Sequence, residues 1–181
     1  MLETEFRRQF DRLIGGGAEP LAVALSGGGD STALLGLTLK AAKSRDVYAF
    51  IVDHGLRRGS AEEANAAAKR AEGLGAKASV LTWRGVKPKT AIQERARQAR
   101  YDLLGTACRQ NGISKLLLGH NRDDQAETIW MRRGQGSGWR GLAGMTARAY
   151  APLWPQLYGV DIVRPMLGLG RTDLRTYCAN N

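Results

Sequence analysis

The join between PLAVAL (20–25) and SGGGDSTALLGLTLKAAK (26–43) constrains this chain more than any other stretch. An apolar run bounded by Pro20 and glycine is too short for a helix and suits a strand buried on both faces. From Asp30 onward, Ala33, Leu34, Leu37 and Leu39 are placed to cover a sheet, so strand, glycine turn and helix follow in immediate succession. The alternation then repeats. VYAFIVD (47–53) reads as strand, SAEEANAAAKRAEGLG (60–75) as an Ala-rich helix capped by Ser60 with Glu63 three places on, and AKASVLTW (76–83) as strand. Thr90 caps a helix over 91–111, SKLLLGH (114–120) supplies another strand, and DDQAETIWM (123–131) starts a helix with acids in its first turn. Strands alternating with helices at this spacing imply an α/β domain: a mostly parallel sheet, helices on both faces, right-handed crossovers.

The two ends read differently. Residues 2–14 fit an amphipathic helix closed by Gly15, Gly16 and Gly17. Past Met131, RRGQGSGWRGLAGM (132–145) has five glycines in 14 residues and reads as a mobile surface loop. ARAYAPLW and YGVDIVRPM read as two strands joined through Pro155, and RTDLRTYCAN as the start of a helix in a chain expected to continue.

Composition narrows the partners. The amino-terminal stretch MLETEFRRQFDRLI mixes acids and arginines through its apolar positions, unlike an export signal, and no run of eighteen apolar residues occurs. A cytoplasmic protein without membrane attachment is expected. Lys and Arg total 27 against 17 Asp and Glu, a net charge of +10, and 20 of those bases are Arg. Arg132, Arg133, Arg140 and Arg148 stand in a stretch (128–150) that has no acid. Such an excess favours a polyanionic partner, and a guanidinium fork suits phosphate. Cys108 and Cys178 lack the spacing of a zinc or iron–sulfur site and read as a buried pair of free thiols.

Four stretches carry chemistry. In Ser26, Gly27, Gly28, Gly29, Asp30 and Ser31, three residues without Cβ let a ligand approach the main chain, so amides, hydroxyls and the positive end of the next helix can cradle phosphate oxygens. The alternative is a tight turn that needs glycine only for its angles. A Walker A loop is excluded by the missing Gly-Lys-Ser/Thr, and a dinucleotide fingerprint by Thr32 where its last glycine would stand. Asp53 and His54, with Arg57, end the second strand on the carboxyl edge, where Asp53 can meet a ribose hydroxyl or metal-bound water and His54 or Arg57 a phosphate. Equally, His54 can simply satisfy a carbonyl and Arg57 be solvated. Glu94, Arg97, Arg100 and Tyr101 share one helix face, presenting cations to a cleft or pairing along the surface.

The stretch GHNRDDQAET (119–128) is the densest. Asp123, Asp124 and Glu127 emerge from one helix start beside His120. Capping accounts for one acid; three can hold Mg²⁺ on polyphosphate, bind an ammonium group, or keep an attacking amine near its unprotonated form. His120 has no partner at zinc-ligand spacing.

SGGxDS at the end of a first strand resembles the signature of the PP-loop ATP pyrophosphatase superfamily. With AVALSGGGDSTALL, VDHGLRRGSAEEA, IQERARQARYDLL, LLLGHNRDDQAETIWM, GQGSGWRGLAGM and IVRPMLGLGRTDL in this order, residues 20–178 resemble the amino-terminal catalytic domain of the bacterial tRNA(Ile)-lysidine synthetases. The resemblance implies a Rossmann-like, adenine nucleotide α-hydrolase-like fold in a single PP-loop domain over 1–181, with a tRNA-binding region beyond it. It also implies ATP as co-substrate with Mg²⁺, and as partners L-lysine and a tRNA(Ile) with a CAU anticodon. A homodimer is one of the assemblies left open.

By the same resemblance, Ser26 to Ser31 hold ATP, Asp30 stands at the Mg²⁺-associated position, and Asp53 and His54 line the adenosine end. Arg97 or Arg100, with Asp124 and Glu127, match residues associated with lysine and the reacting cytosine, and Arg171 falls at a family arginine. The implied reaction adenylylates the wobble cytidine at O2, then lets the lysine ε-amine attack C2 and release AMP. One departure is Gln135, where relatives often carry Arg before GSG. Rival readings are a PP-loop tRNA thiolation enzyme, whose cysteine pairs or cluster ligands Cys108 and Cys178 do not match, and a silent tRNA-binding module. Ammonia-using synthetases with the SGG loop lack the combination of GHxxDDQxET and the glycine loop.

Overall fold

A computed structural model describes residues 1–181 apart from 86, 89, 135–142 and 154. Expectations attached to Gln135, Arg140 and most of the glycine loop lie outside the described residues. In chain order the elements are α1 (Leu2–Ile14), β1 (Leu21–Ala24), α2 (Gly29–Ala42), β2 (Val47–Asp53), α3 (Ser60–Gly73), β3 (Lys77–Thr82) and α4 (Ile92–Gln110). There follow β4 (Lys115–Leu117), α5 (Arg122–Gly134), β5 (Arg148–Ala149), β6 (Asp161–Val163) and α6 (Arg171–Asn180).

The strands form one sheet in the order β3-β2-β1-β4-β6-β5, parallel except for the β5–β6 pair. From β1 the chain steps outward through β2 and β3, then returns to lay β4 on the other side of β1. That reversal opens a crevice at the carboxyl ends of β1 and β4, where α/β sheets place ligands.

Strand periodicity explains the two layers. Leu21, Val23 and Leu25 face one core with Val47, Ala49, Ile51, Leu117 and Val163, covered by α1, α2, α3 and α6. Ala22 and Ala24 face the other with Phe50, Leu116, Leu118 and Ile162, covered by Tyr101, Leu104, Ala107 and Cys108 of α4. Residues i and i+2 point to the same side, so each strand feeds both cores. A fully buried Leu contributes about 2 kcal/mol, and Leu21, Leu34, Leu104, Leu116 and Leu117 are all fully buried.

Local details differ from expectation. Ser60 is the first helical residue of α3; Gly59, at φ 86°, takes the cap position because the chain needs a left-handed residue there. Thr90 does not cap α4 either, since Ala91 holds that position at φ 49°. The cysteines are both free, but only Cys108 is buried; Cys178 is half-buried on α6. The expected strand pair near the carboxyl end exists, shortened to two and three residues.

Candidate functional site: a phosphate loop facing an acid–arginine cluster

The glycine turn after β1 is held from within. Ser31 Oγ donates to the Gly28 carbonyl at 2.9 Å and accepts the Ser26 amide at 3.1 Å, and the two serine hydroxyls lie 3.0 Å apart. Gly27 sits at φ 81°, a conformation that a Cβ would strain. The first intrahelical bond of α2 runs from the Thr32 amide to the Gly28 carbonyl. The amides of Gly29, Asp30 and Ser31 precede it and have no acceptor within the helix, leaving donors and the positive helix end for an anion.

A cleft of about 800 Å³ opens beside this turn, lined by Ser26, Gly27 and Gly28, the end of β2 with Asp53 and His54, α3, and Arg100 of α4. Its size suits a nucleotide. Asp53 is buried; its carboxylate accepts from Ser60 and, at 2.9 Å, from the Gly55 amide. The Ser60 bond, then the Gly55 bond, hold it below the usual carboxylate range. Asp53 thus closes the turn after β2 and still lines the cleft. His54 stands edge-on to Trp83 with its Nδ1 buried and unpartnered, and burial, then Arg100, push it below the ordinary imidazole value.

Across the crevice, Asn121 and Asp124 cap α5 reciprocally. Asn121 Oδ1 accepts the amides of Asp123 (2.8 Å) and Asp124 (3.1 Å), while Asp124 Oδ2 accepts the Asn121 amide at 2.9 Å. This is a capping box built from Asn and Asp. Asn121 Nδ2 also donates to Asp30 Oδ2 at 3.1 Å, tying the α5 start to the glycine turn. Gly119 permits the approach: a Cβ there would lie 3.3 Å from the Ser31 backbone.

Arg171, at the start of α6, joins the acids. Its guanidinium reaches Asp124 Oδ1 at 2.6 Å, Glu127 Oε1 at 3.4 Å and Asp30 Oδ2 at 3.8 Å, and its own amide donates to Asp123 Oδ2 at 2.9 Å. The Asp124 bond is the main reason its pKa lies above the usual arginine value. All three carboxylates named from sequence as Asp30, Asp124 and Glu127 therefore meet one cation. Arg100 reaches the cleft, whereas Arg97 is exposed and stacks on Tyr101 with its guanidinium 5.3 Å from the ring centre.

Sequence reasoning did not single out Asn121 or Arg164. Arg164 follows β6, donating from Nε to His120 Nδ1 at 3.2 Å and from a terminal nitrogen to the Thr146 carbonyl at 2.8 Å. Asn121 had a readable signal, an Asn directly ahead of the acids of a helix start; Arg164 had none, because its partner lies 44 residues away.

A family model described as PP-loop domain matches residues 2–181. The chain belongs to the PP-loop family. Among curated relatives, a tRNA(Ile)-lysidine synthase of Methylobacterium nodulans is 44% identical over 97% of this chain and 50% of its own length. One of Hyphomonas neptunium is 43% identical over 92% of this chain and 44% of its own. The chain spans about half the length of the curated relatives it matches. Among solved structures, the U34-tRNA thiolase NcsA of Methanococcus maripaludis, with its 4Fe–4S cluster, superposes with a TM-score of 0.75 at 21% identity, over 98% of this chain and 63% of that one. That likeness extends the PP-loop fold across the sheet described above. Among the described residues, no helix is long and apolar enough to cross a membrane.

Proposed function

We propose that this PP-loop chain supports ATP-dependent ligation of L-lysine to C2 of the wobble cytidine in a CAU-anticodon tRNA(Ile), in the cytoplasm, through an adenylylated cytidine, with release of AMP and pyrophosphate. The observation that carries it is the 3.1 Å link from Asn121 to Asp30, which sets an amine-binding group of acids against a phosphate loop. An enzyme that activates an oxygen with ATP and then displaces it with an amine needs both within one crevice. The relatives' names and the excess of arginine supply the RNA side of the reading.

In this reading the amides of Gly29, Asp30 and Ser31 and the hydroxyl of Ser26 bind the polyphosphate, and the cleft beside Asp53 and His54 takes the adenosine. Arg100, with Arg97 further out, stabilises negative charge as the α-phosphate is transferred. Glu127 and Asp124 draw in the lysine ammonium and accept or relay the proton it loses before attack. No group of three or more metal-binding side chains occurs among the described residues, so a protein cage for a metal is not offered. Asp30, at the loop with its carboxylate partly exposed, fits an ion that takes most of its ligands from phosphate and water, as Mg²⁺ does. Such an ion would neutralise charge on the phosphates.

The thiolation reading loses ground on the cysteines. Cys108 is fully buried, with its thiol pushed up to about 12 by burial, and Cys178 stands alone on α6. Incubating the protein with unmodified tRNA(Ile), ATP and labelled lysine tests the proposal. ATP-dependent label in the RNA at the anticodon, with AMP formed in equal amount, is expected. ATP-dependent sulfur transfer without lysine transfer, or RNA binding without ATP binding, would refute it.

A further inference from the structure

We propose that Arg164 is a positioning residue that fixes His120 as the Nε2–H tautomer, so that the imidazole serves the crevice as a hydrogen-bond donor to a substrate oxygen and not as a base. The tautomer stands on geometry alone, whereas its use by a substrate rests on the lysidine-forming reading above. Arginine has only donors, so the 3.2 Å contact from Arg164 Nε must meet a lone pair on His120 Nδ1. A neutral ring with a bare Nδ1 carries its proton on Nε2.

Arg164 is itself fixed. It is half-buried, and its second contact, to the Thr146 carbonyl at 2.8 Å, fastens the fork on the far side. His120 ends the stretch after β4, one residue before the Asn121 that bonds Asp30, and Asp124 of the site's acids acts on its ring.

The surroundings keep it uncharged. Among the described residues, the charged groups acting on the ring are Arg164 after β6, Arg100 and Arg97 on α4, and Asp124 on α5. Burial is the largest influence, then Arg164, and the two α4 arginines reinforce them against Asp124 alone. The ring therefore stays neutral to lower pH than an ordinary histidine. A lone pair on Nδ1 would ordinarily make such a ring a proton acceptor. Here it is occupied by a guanidinium that cannot give up its proton.

The chain has only two histidines, His54 and His120, which makes the test direct. Long-range nitrogen–proton correlation spectra of the labelled protein, from about pH 5 to 8, report which ring nitrogen carries hydrogen; loss of one set in His120→Gln assigns the signals. The expected result is a single Nε2–H tautomer for His120, with protonation only on the acid side of the ordinary midpoint. Arg164→Met should release both tautomers and raise the midpoint. Arg164→Lys keeps the charge but not the Nε donor, and should release the tautomer with a smaller rise.

A merely structural arginine would leave the tautomer unmoved. Finding Nδ1–H in the unaltered protein would overturn the proposal, as would a single Nε2–H tautomer persisting in either Arg164 variant with an intact backbone spectrum. Should Arg164→Met fail to fold, the unaltered protein and Arg164→Lys still decide. None of these readouts uses lysine transfer, so failure of the functional reading and failure of the tautomer assignment are distinguishable.

Discussion

Asp124 and Glu127 sit one turn apart and meet the same arginine, yet they carry different burdens. Asp124 completes the cap of α5 through the Asn121 amide and pairs with Arg171 at 2.6 Å, whereas Glu127 is 63% exposed and reaches Arg171 only at 3.4 Å. Asp124→Ala should cost about 1 kcal/mol of stability through the lost cap, read as a lower urea midpoint. Glu127→Gln should stay within about 0.5 kcal/mol of the unaltered protein, as exposed positions do. It keeps the shape but removes the charge, so ATP binding should persist while lysine transfer at subsaturating lysine falls. Normal transfer there, with unchanged fold and ATP affinity, would return Glu127 to a surface helix-start role. The three acids were legible in sequence because they crowd one helix start. Arg171 was legible as a family arginine, but its meeting with all of them was not, since those contacts span 44 to 48 residues and depend on where α6 docks.

At the scale of elements, the glycine turn after β1 and the start of α5 are close because β4 lies beside β1. Sequence shows strand and helix in alternation but not the order in the sheet, since a parallel strand can be added to either edge. The apolar runs at 20–25 and 47–53 became β1 and β2 nearly unchanged, because strands buried on both faces carry continuous apolar sequence. The caps were misread at Ser60 and Thr90, where backbone conformation at Gly59 and Ala91 sets the helix start and no side-chain bond is made. The close approach makes a test. Gly119→Ala places a methyl 3.3 Å from the backbone nitrogen and Cα of Ser31. A few tenths of an ångström of displacement should weaken ATP binding severalfold while changing the thermal midpoint little. Gly105→Ala is the contrast: its Cβ would stand 2.0 Å from the Gln156 carbonyl oxygen, with no atom of the glycine turn among its nearest neighbours. It should cost about 1–3 kcal/mol as an overpacked contact and leave the ATP affinity of the folded fraction unchanged. Equal loss of ATP affinity in both variants would detach Gly119 from the loop.

Over the whole molecule, stability and the proposed RNA binding draw on different charges. His54 and His120 both titrate below the ordinary imidazole value, so as pH falls through about 6.5 the unfolded chain takes up protons first and stability drops. Cys108 is raised by burial, so above about pH 8.5 the unfolded thiol ionises first and stability drops again. Urea midpoints should therefore be highest between those limits, and a midpoint that kept rising toward pH 5 would contradict the histidine placement. On the proposed reading, RNA affinity would follow the +10 charge, of which the last turn of α5 holds Arg132 and Arg133. Arg132 donates to the Gly144 carbonyl at 3.2 Å, so its removal also loosens the end of the glycine loop. Arg133 is exposed, which makes it the cleaner probe. As a phosphate contact it would release about one counter-ion, so Arg133→Ala should reduce the slope of log affinity against log salt by about one and weaken cognate and unrelated tRNAs alike. A loss confined to the cognate tRNA would make Arg133 a reader of sequence or shape. An unchanged slope would place the end of α5 away from the RNA and move the electrostatic footprint to the α4 arginines beside the cleft.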